Sequence, residues 1–361
     1  MIAITQQIGT GLSCPRLSLS PTGDRIVVWN STAVSCYDLL DGCGFLRWTL
    51  PDFNPRFCAI TPKAVLCCRE TGPLLLLDVS SGKVLTEVTL PNQPSLRPPR
   101  LFEISLSPTE PVALVQATLP AATFVFDTHS HCFVSKHPGP WGDALFHPTG
   151  GLVIQKSLDS FQSLVFAEIA SEQGLNFLKP LYLLDESLLA YGFSGLGDAF
   201  AAVSAGRDSI SLYVFTFPLF QLRFVIELTF LELPLTEKLL GNPDGVLIYP
   251  RRILFFGENN LLLFTATGTM LMVETTNGTI INRFYGHQTA VTDAVAIPQI
   301  GSLASVDLSG KLLLWRTESK PVWPTVTREM WKTAPWYTAG SNARRHFEVA
   351  YSLKQGRLVE S

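Results

Sequence analysis

Residues 286–315 contain the stretch of sequence that decides the fold. It opens with Gly286-His287 and closes with Ser302-Leu-Ala-Ser-Val-Asp-Leu-Ser-Gly-Lys-Leu-Leu-Leu-Trp315. Two apolar runs flank the turn residues Asp307 and Gly310, so the segment predicts two short strands joined by a tight turn. A unit of this size cannot bury its own apolar faces, so further copies of it are expected along the chain.

The same order of strand, turn and strand recurs along the chain. The six earlier copies begin near Leu17, Ala64, Ile104, Phe146, Phe200 and Leu261. The ends of their third strands, with that of the last copy, align at positions 38, 78, 127, 167, 214, 274 and 316. Most of the intervals between these positions are close to the spacing of about 40–45 residues that a four-stranded blade requires. The widest spacing predicts an insertion within Leu231–Tyr249.

The pattern therefore predicts an all-β fold, a seven-bladed β-propeller with a C-terminal extension. We assign residues 1–319 to the propeller and residues 320–361 to the extension.

The last copy resembles the WD-repeat family. In that family a Gly-His pair, a serine or threonine, a turn aspartate and a strand tryptophan form a hydrogen-bonded set, and the resemblance assigns those roles to His287, Ser305, Asp307 and Trp315. Arg316 stands where the family usually has the aspartate of its Trp-Asp pair. Related propellers complete their last blade with a strand from the start of the chain, which implies that role for Met1–Ile8.

The chemistry of these side chains is consistent with a structural role. A buried imidazole needs a partner at each ring nitrogen, and a turn aspartate and a hydroxyl can supply both. Leaving one member of such a set unpaired costs about 1–3 kcal/mol. A hydrolytic triad of His287, Asp307 and Ser305 is the alternative; the structural network explains the spacing better.

Composition excludes several classes of protein. The net charge of −3 and the pI of about 6.1 argue against direct nucleic-acid binding by the propeller. The most apolar stretch, Ile210–Leu235, is interrupted by Pro218 and three charged residues, so no transmembrane segment is predicted. Residues 1–10 lack the basic start of a secretory signal.

The seven cysteines indicate a reducing location. Their number is odd, and no pair has the CxxC spacing of a zinc site. We predict free thiols in a cytoplasmic or nuclear protein.

Two further motifs contain residue types that are found in binding sites. His129, His131, Cys132 and His137 lie close together in the sequence, but their position favours an exposed hairpin with solvated histidines over a metal site. Gly195-Leu-Gly-Asp198 favours a turn over a phosphate loop, because a strand follows it instead of a helix. We predict no catalytic, cofactor-binding or metal-binding residue, and hence a protein that is not an enzyme.

The C-terminal extension differs in character from the rest of the chain. It contains seven basic and three acidic residues, a net charge of +4. Tryptophan and arginine are typical anchors of protein interfaces. Its candidate partner-binding residues are Trp323, Trp331, Trp336, Tyr337, Arg344 and Arg345. Docking on a partner and packing against its own propeller both stay open.

Without a catalytic set, the sequence predicts a scaffold or adaptor that holds other proteins in a multisubunit complex. One narrower alternative is a WD-repeat subunit of a histone methyltransferase or RNA 3′-end processing complex, since the turns at Ser20–Gly23 and Phe146–Gly151 and Gly278 resemble such a subunit. Another is phosphoinositide binding at Arg251-Arg252, which resembles the paired arginines of lipid-binding propellers but has Pro250 before the pair and Ile253 after it.

Overall fold

A computed structural model describes residues 2–69, 71–91, 100–118, 121–139, 141–157, 163–170, 174–182, 187–205, 210–227, 253–257, 259–264 and 268–317. Within these ranges the strands form seven antiparallel sheets of four strands each, which confirms the seven-bladed β-propeller. A short 3-10 helix, Pro298–Ile300, is the only helical element in the described ranges, and none of those ranges holds a helix able to cross a membrane. The C-terminal extension and the predicted insertion at 231–249 lie outside the described residues.

Each blade is built from consecutive strands, except that blade seven takes its outermost strand, β1 (Ile2–Gly9), from the start of the chain. Blade one contains β2 (Arg16–Leu19), β3 (Arg25–Trp29), β4 (Val34–Leu40) and β5 (Cys43–Leu50), and blade two contains β6 (Phe57–Ile60), β7 (Ala64–Cys68), β8 (Leu74–Asp78) and β9 (Val84–Val88). Blade three contains β10 (Leu101–Leu106), β11 (Val112–Thr118), β12 (Ala121–Asp127) and β13 (Cys132–Pro138), and blade four contains β14 (Trp141–Phe146), β15 (Leu152–Ser157), β16 (Ser163–Ala170) and β17 (Gly174–Tyr182). Blade five contains β18 (Ser187–Phe193), β19 (Ala199–Ala205), β20 (Ile210–Thr216) and β21 (Leu222–Glu227), and blade six contains β22 (Leu254–Phe255), β23 (Asn260–Phe264), β24 (Met270–Glu274) and β25 (Ile280–Phe284). Blade seven adds β26 (Val291–Ile297), β27 (Ser302–Asp307) and β28 (Lys311–Thr317).

Burial explains why the middle strands are continuous apolar runs. The first strands of neighbouring blades contact one another, so they surround the central channel. The second and third strands have a neighbouring blade on each face; in β7, for example, all five residues are buried. A strand covered on both faces has no need for alternating polar residues. The outermost strands meet solvent and alternate, as in β21.

The ends of the chain meet in blade seven. Strand β1 pairs antiparallel with β28, from Ile2 opposite Thr317 to Gly9 opposite Lys311. The Gln6 side chain also bonds to blade one, because its Nε2 donates to the Gly44 carbonyl at 3.2 Å and its Oε1 accepts the Gly44 N–H at 2.6 Å. Strand β1 therefore completes one blade and covers part of the free edge of the next.

The third strands place an acid at the same register position in five blades. Each acid pairs with the first residue of the second strand, and the acids are Asp38, Asp78, Asp127, Glu168 and Glu274. The equivalent residues of blades five and seven are Thr216 and Arg316. The aligned positions predicted for blades four and five, 167 and 214, were therefore wrong by one and two residues. The apolar runs there do not show which residue pairs with the second strand.

Candidate functional site

The structure brings together the four side chains that the WD-repeat resemblance singles out. Nδ1 of His287 lies 2.9 Å from Oδ2 of Asp307, and its Nε2 lies 2.7 Å from Oγ of Ser305. The indole N–H of Trp315 donates to the same Ser305 oxygen at 2.8 Å. These side chains therefore tie the segment before β26 to β27 and β28. The Lys311 amine, which donates to the Gly286 carbonyl at 2.8 Å, and the Leu308 N–H, which donates to the Ala290 carbonyl at 3.0 Å, add to this connection.

Local structure around Asp307 positions this set. Oδ1 of Asp307 accepts the N–H groups of Ser309 and Lys311, each at 3.0 Å, and the Ser309 hydroxyl at 2.6 Å. Gly310 ends the turn at φ +83°, and a side chain there would meet the carbonyl oxygen of Leu12 at 2.0 Å. The aspartate therefore organises its own turn with one oxygen and holds His287 with the other.

Burial sets the charge state of the set. Desolvation lowers the pKa of His287, while the hydrogen bond and the charge of Asp307 oppose that shift. Desolvation by itself would raise the pKa of Asp307, but hydrogen bonds from Ser309, Lys311 and His287 outweigh it and the pKa is lowered. The set is consequently a neutral imidazole beside a carboxylate at neutral pH.

The geometry of the set differs from what hydrolysis requires. A nucleophilic serine must reach a substrate while its histidine accepts its proton. Ser305 and Asp307 are 0% exposed and His287 is 9% exposed. The Ser305 oxygen is already an acceptor for Trp315, and none of the three residues lines the channel cavity described below.

A second buried histidine, His147, was not predicted as a site. It lies in the turn between β14 and β15, is 0% exposed, and its Nδ1 is 2.7 Å from the Thr149 hydroxyl. Its Nε2–H donates to the Gly197 carbonyl of blade five at 3.1 Å. Its ring packs against Phe193 and Phe217. Burial lowers its pKa to about 4, so it is neutral.

The sequence could have indicated a structural role for His147, because this residue occupies a fixed position in a repeated turn. Ser20 and Ser194 occupy the same position in blades one and five, and each hydroxyl accepts a backbone N–H from the strand that follows. At His147 the ring nitrogen accepts the Thr149 N–H at 3.3 Å. The histidine therefore replaces a turn-capping serine and, being longer, also reaches the next blade.

These turns bond to one another around one end of the channel. Gln299 of blade seven donates to the Pro21 carbonyl of blade one at 3.1 Å, and Thr109 of blade three donates to the Thr149 carbonyl of blade four at 3.1 Å. With the bond from His147 to blade five, three boundaries between blades carry a bond of this kind. Two of the three features on which the narrower methyltransferase or 3′-end resemblance depends, the turns at Ser20–Gly23 and Phe146–Gly151, belong to this geometry and are explained by the fold.

The channel contains a cavity lined by the first strands of several blades. It measures about 500 Å³, including the part open to solvent. Its polar lining residues are Arg16, Glu103, Asp143, Tyr191 and Asp293. Register shifts near the start of β10, β14 and β26 place the three acids there.

The acids of this cavity bond across blade boundaries. Glu103 accepts the Asp143 N–H at 2.8 Å, and Asp293 accepts the Leu17 N–H at 3.0 Å. The Tyr191 hydroxyl donates to the Asp143 carbonyl. Burial, with the charges of Asp143 and Glu103, raises the pKa of Tyr191 well above its usual value. The lining is therefore negative and held in place by its own hydrogen bonds.

The histidine-rich hairpin joins β12 to β13. The Asp127 carboxylate accepts the N–H groups of His129 and Ser130, as expected of a turn. His137 differs from the prediction, because it is not a solvated histidine: its Nε2 is 2.9 Å from the Ser135 hydroxyl and accepts the Leu175 N–H of blade four at 3.0 Å. In the ranges that the structure describes, no three histidine, cysteine or acidic residues are placed to hold a metal ion.

Of the remaining candidate sites, one is a turn and the other two lie outside the described residues. Gly195–Asp198 is a turn between β18 and β19, in which Ser194 donates to Asp198 at 2.7 Å. Arg251 and Arg252 lie outside the described residues. So do the candidate partner-binding residues Trp323, Trp331, Trp336, Tyr337, Arg344 and Arg345.

No family model matches the chain, and no curated protein matches its sequence.

Proposed function

We propose that this chain is a non-catalytic scaffold that holds other proteins in a multisubunit complex. The observation that carries the proposal is the enclosure of the His287 set, because the residues most suggestive of catalysis are committed to stabilising blade seven. Propellers are commonly protein-interaction scaffolds, whose function lies in their surfaces and loops.

We further propose that the blades are divergent WD repeats. The full hydrogen-bonded set in blade seven supports this. So does the acid that pairs with the first residue of the second strand in five other blades, because in blade seven the same register position belongs to Arg316, the residue after Trp315. In blades one and three the acid follows an aromatic residue, in Tyr37-Asp38 and Phe126-Asp127. Blade seven has the tryptophan without the acid, and these blades have the acid without the tryptophan.

Exposed apolar side chains support binding of protein partners. Four large ones lie on the outermost strands of blades one and two, and a fifth ends the third strand of blade one; they are Phe45, Leu46, Val84, Leu85 and Leu40, in that order. Single exposed apolar residues are ordinary, whereas several on adjacent elements are typical of protein contact sites. The basic, tryptophan-containing extension supplies a second candidate contact.

The test is affinity purification with mass spectrometry from the native host cells. The full chain is compared with a truncation after Glu318 and with the double variant Phe45→Ser, Leu46→Ser. We expect the full chain to co-purify a reproducible set of proteins in fixed ratio, and at least one of the two changes to remove part of that set.

A matched control is Leu219→Ser, Val225→Ser, which removes two exposed apolar residues of blade five. It should retain the set. If the full chain, checked as folded by circular dichroism, co-purifies no stable partner, the scaffold proposal is wrong.

A further inference from the structure

Blade two contains a pair of cysteines in direct contact. Cys58 in β6 and Cys67 in β7 are cross-strand partners. Their sulfur atoms are 3.2 Å apart, and both side chains are 0% exposed. Both are free thiols.

The geometry of this pair is close to that of a disulfide. A disulfide needs Cα atoms about 4.4–6.8 Å apart, and directly opposed residues of antiparallel strands are about 4.5 or 5.5 Å apart. Bringing the sulfur atoms from 3.2 Å to a bond of about 2.05 Å therefore requires side-chain rotations and a small approach of the two strands, because opposed Cβ atoms are about 4.5–5.5 Å apart and a disulfide needs about 3.5–4.5 Å.

We propose that Cys58 and Cys67 form a site of reversible oxidation, in which the two thiols join as an intramolecular disulfide. An azodicarboxamide such as diamide is a suitable oxidant for the reaction. One thiol adds to the N=N bond, and the second sulfur then attacks the first and displaces the reduced nitrogen compound. Each thiol loses a hydrogen atom, the sulfur–sulfur bond forms, and the nitrogen pair gains both hydrogens to become a hydrazine.

The other cysteines are placed differently. Cys68 is buried beside Cys67, but consecutive strand residues point to opposite faces, and its sulfur lies 3.6 Å from the Phe57 carbonyl oxygen. Cys14 and Cys132 are exposed. Cys58 and Cys67 are the only two cysteines in the described part of the chain whose sulfur atoms are in contact.

Burial determines how this site would react. Desolvation, together with the neighbouring thiol Cys67, raises the pKa of Cys58 well above its usual value, and the thiolate is the reactive form. The first step is therefore slow and depends on local opening of the sheet, whereas the second is fast because the partner sulfur is already in contact. The pair should oxidise later than Cys14 and Cys132, and it should yield a disulfide before either sulfur is oxidised further.

The location gives the oxidation a structural consequence. Cys58 follows Phe57, which lines the channel cavity, with the Arg16 guanidinium 5.9 Å from the centre of its ring. The disulfide would join the channel-facing strand of blade two covalently to the next strand. Oxidation would thereby restrain one wall of that cavity.

The sequence allows a direct test by peptide mapping. The native full chain is first alkylated with iodoacetamide, which blocks Cys14 and Cys132, then treated with diamide, denatured in acid and alkylated with N-ethylmaleimide. Trypsin cleaves after Arg56, Lys63 and Arg69, so Cys58 lies on peptide 57–63 and Cys67 on peptide 64–69. We expect these two peptides to be recovered as one disulfide-linked species, which dithiothreitol separates.

Two matched variants assign the bond. Cys67→Ser should abolish the linked species, whereas Cys68→Ser, one residue along the same strand, should leave it unchanged. Fragment ions from the wild-type linked peptide make the same assignment if a variant fails to fold. Recovery of Cys58 and Cys67 as maleimide adducts after prolonged treatment that fully oxidises added glutathione would overturn the proposal. A bond to Cys68 in place of Cys67 would also overturn it.

Discussion

Replacing His287 with alanine tests the physical account of blade seven. The change removes two hydrogen bonds and leaves Oδ2 of Asp307 without its partner, while Oδ1 keeps its bonds to the turn. An orphaned buried acceptor costs about 1–3 kcal/mol, more when it is charged, and the lost ring packing on Trp315 adds to this. We expect the free energy of unfolding to fall by about 2–4 kcal/mol.

The expected shift in melting temperature follows from the size of the protein. Unfolding entropy is about 2.1 cal/mol/K per residue, so the roughly 260 described residues give about 0.55 kcal/mol/K. The variant should therefore melt about 4–7 °C below the wild type in differential scanning calorimetry at pH 7.

A neighbouring residue provides the control. Tyr285 lies two positions earlier and is 71% exposed, so Tyr285→Ala should change the free energy of unfolding by no more than about 0.5 kcal/mol. If His287→Ala melts with the wild type, or if both variants lose the same stability, the argument from the buried hydrogen bonds is refuted.

Three further predictions concern other parts of the ring. The pKa of His147 is lowered to about 4 in the folded protein, so below about pH 6.5 this histidine binds a proton in the unfolded chain before it does in the folded one. The free energy of unfolding should therefore decline by up to about 3 kcal/mol by pH 4. Urea titrations at several pH values should show a smaller decline in His147→Gln, and an equal decline in both proteins would contradict this account of His147. Gly310→Ala should destabilise the protein by more than about 2 kcal/mol, because it combines a positive φ with a backbone clash. Gly9→Ala should have little effect, because the space around Gly9 is open. Equal melting temperatures of the two variants would show that the turn at Gly310 is less constrained than described. Gln6→Leu should cost about 1–2 kcal/mol in chemical denaturation, because it leaves both polar groups of Gly44 without the amide, and an unchanged midpoint would show that this contact contributes nothing.

The architecture could be predicted from the sequence because each blade is a local unit. Turn residues and apolar runs repeat along the chain, and their spacing gives the number of blades. The His287 set could be predicted because blade seven retains every residue type of the family motif. The pairing register of the strands was harder to predict from the sequence. The run Leu164–Ala167 is apolar throughout, so only the structure, in which Leu152 pairs with Glu168, shows which residue of this strand matches the acids of the other blades.

Contacts between blades could not be read from local patterns. His147 bonds to Gly197, and His137 accepts the Leu175 N–H, so each histidine depends on a residue in another repeat. A solvated hairpin was a reasonable expectation for His137, because the sequence does not show that blade four lies against β13. The contact between Cys58 and Cys67 likewise depends on register, since a shift of one residue would separate the sulfur atoms.

Because β1 pairs with β28, blade seven can be completed only late in synthesis of the chain. Blades one to six can form as each hairpin leaves the ribosome, since their strands are consecutive in the chain. Blade seven requires residues 2–9 to wait, unpaired, until residues 311–317 have been synthesised. Contacts between the two ends span almost the whole described sequence, and such contacts form late because closing a long loop is entropically unfavourable. During synthesis the nascent chain therefore presents an open ring with an uncharged, unpaired strand at one end, and at this stage the strand is most exposed to pairing with another chain.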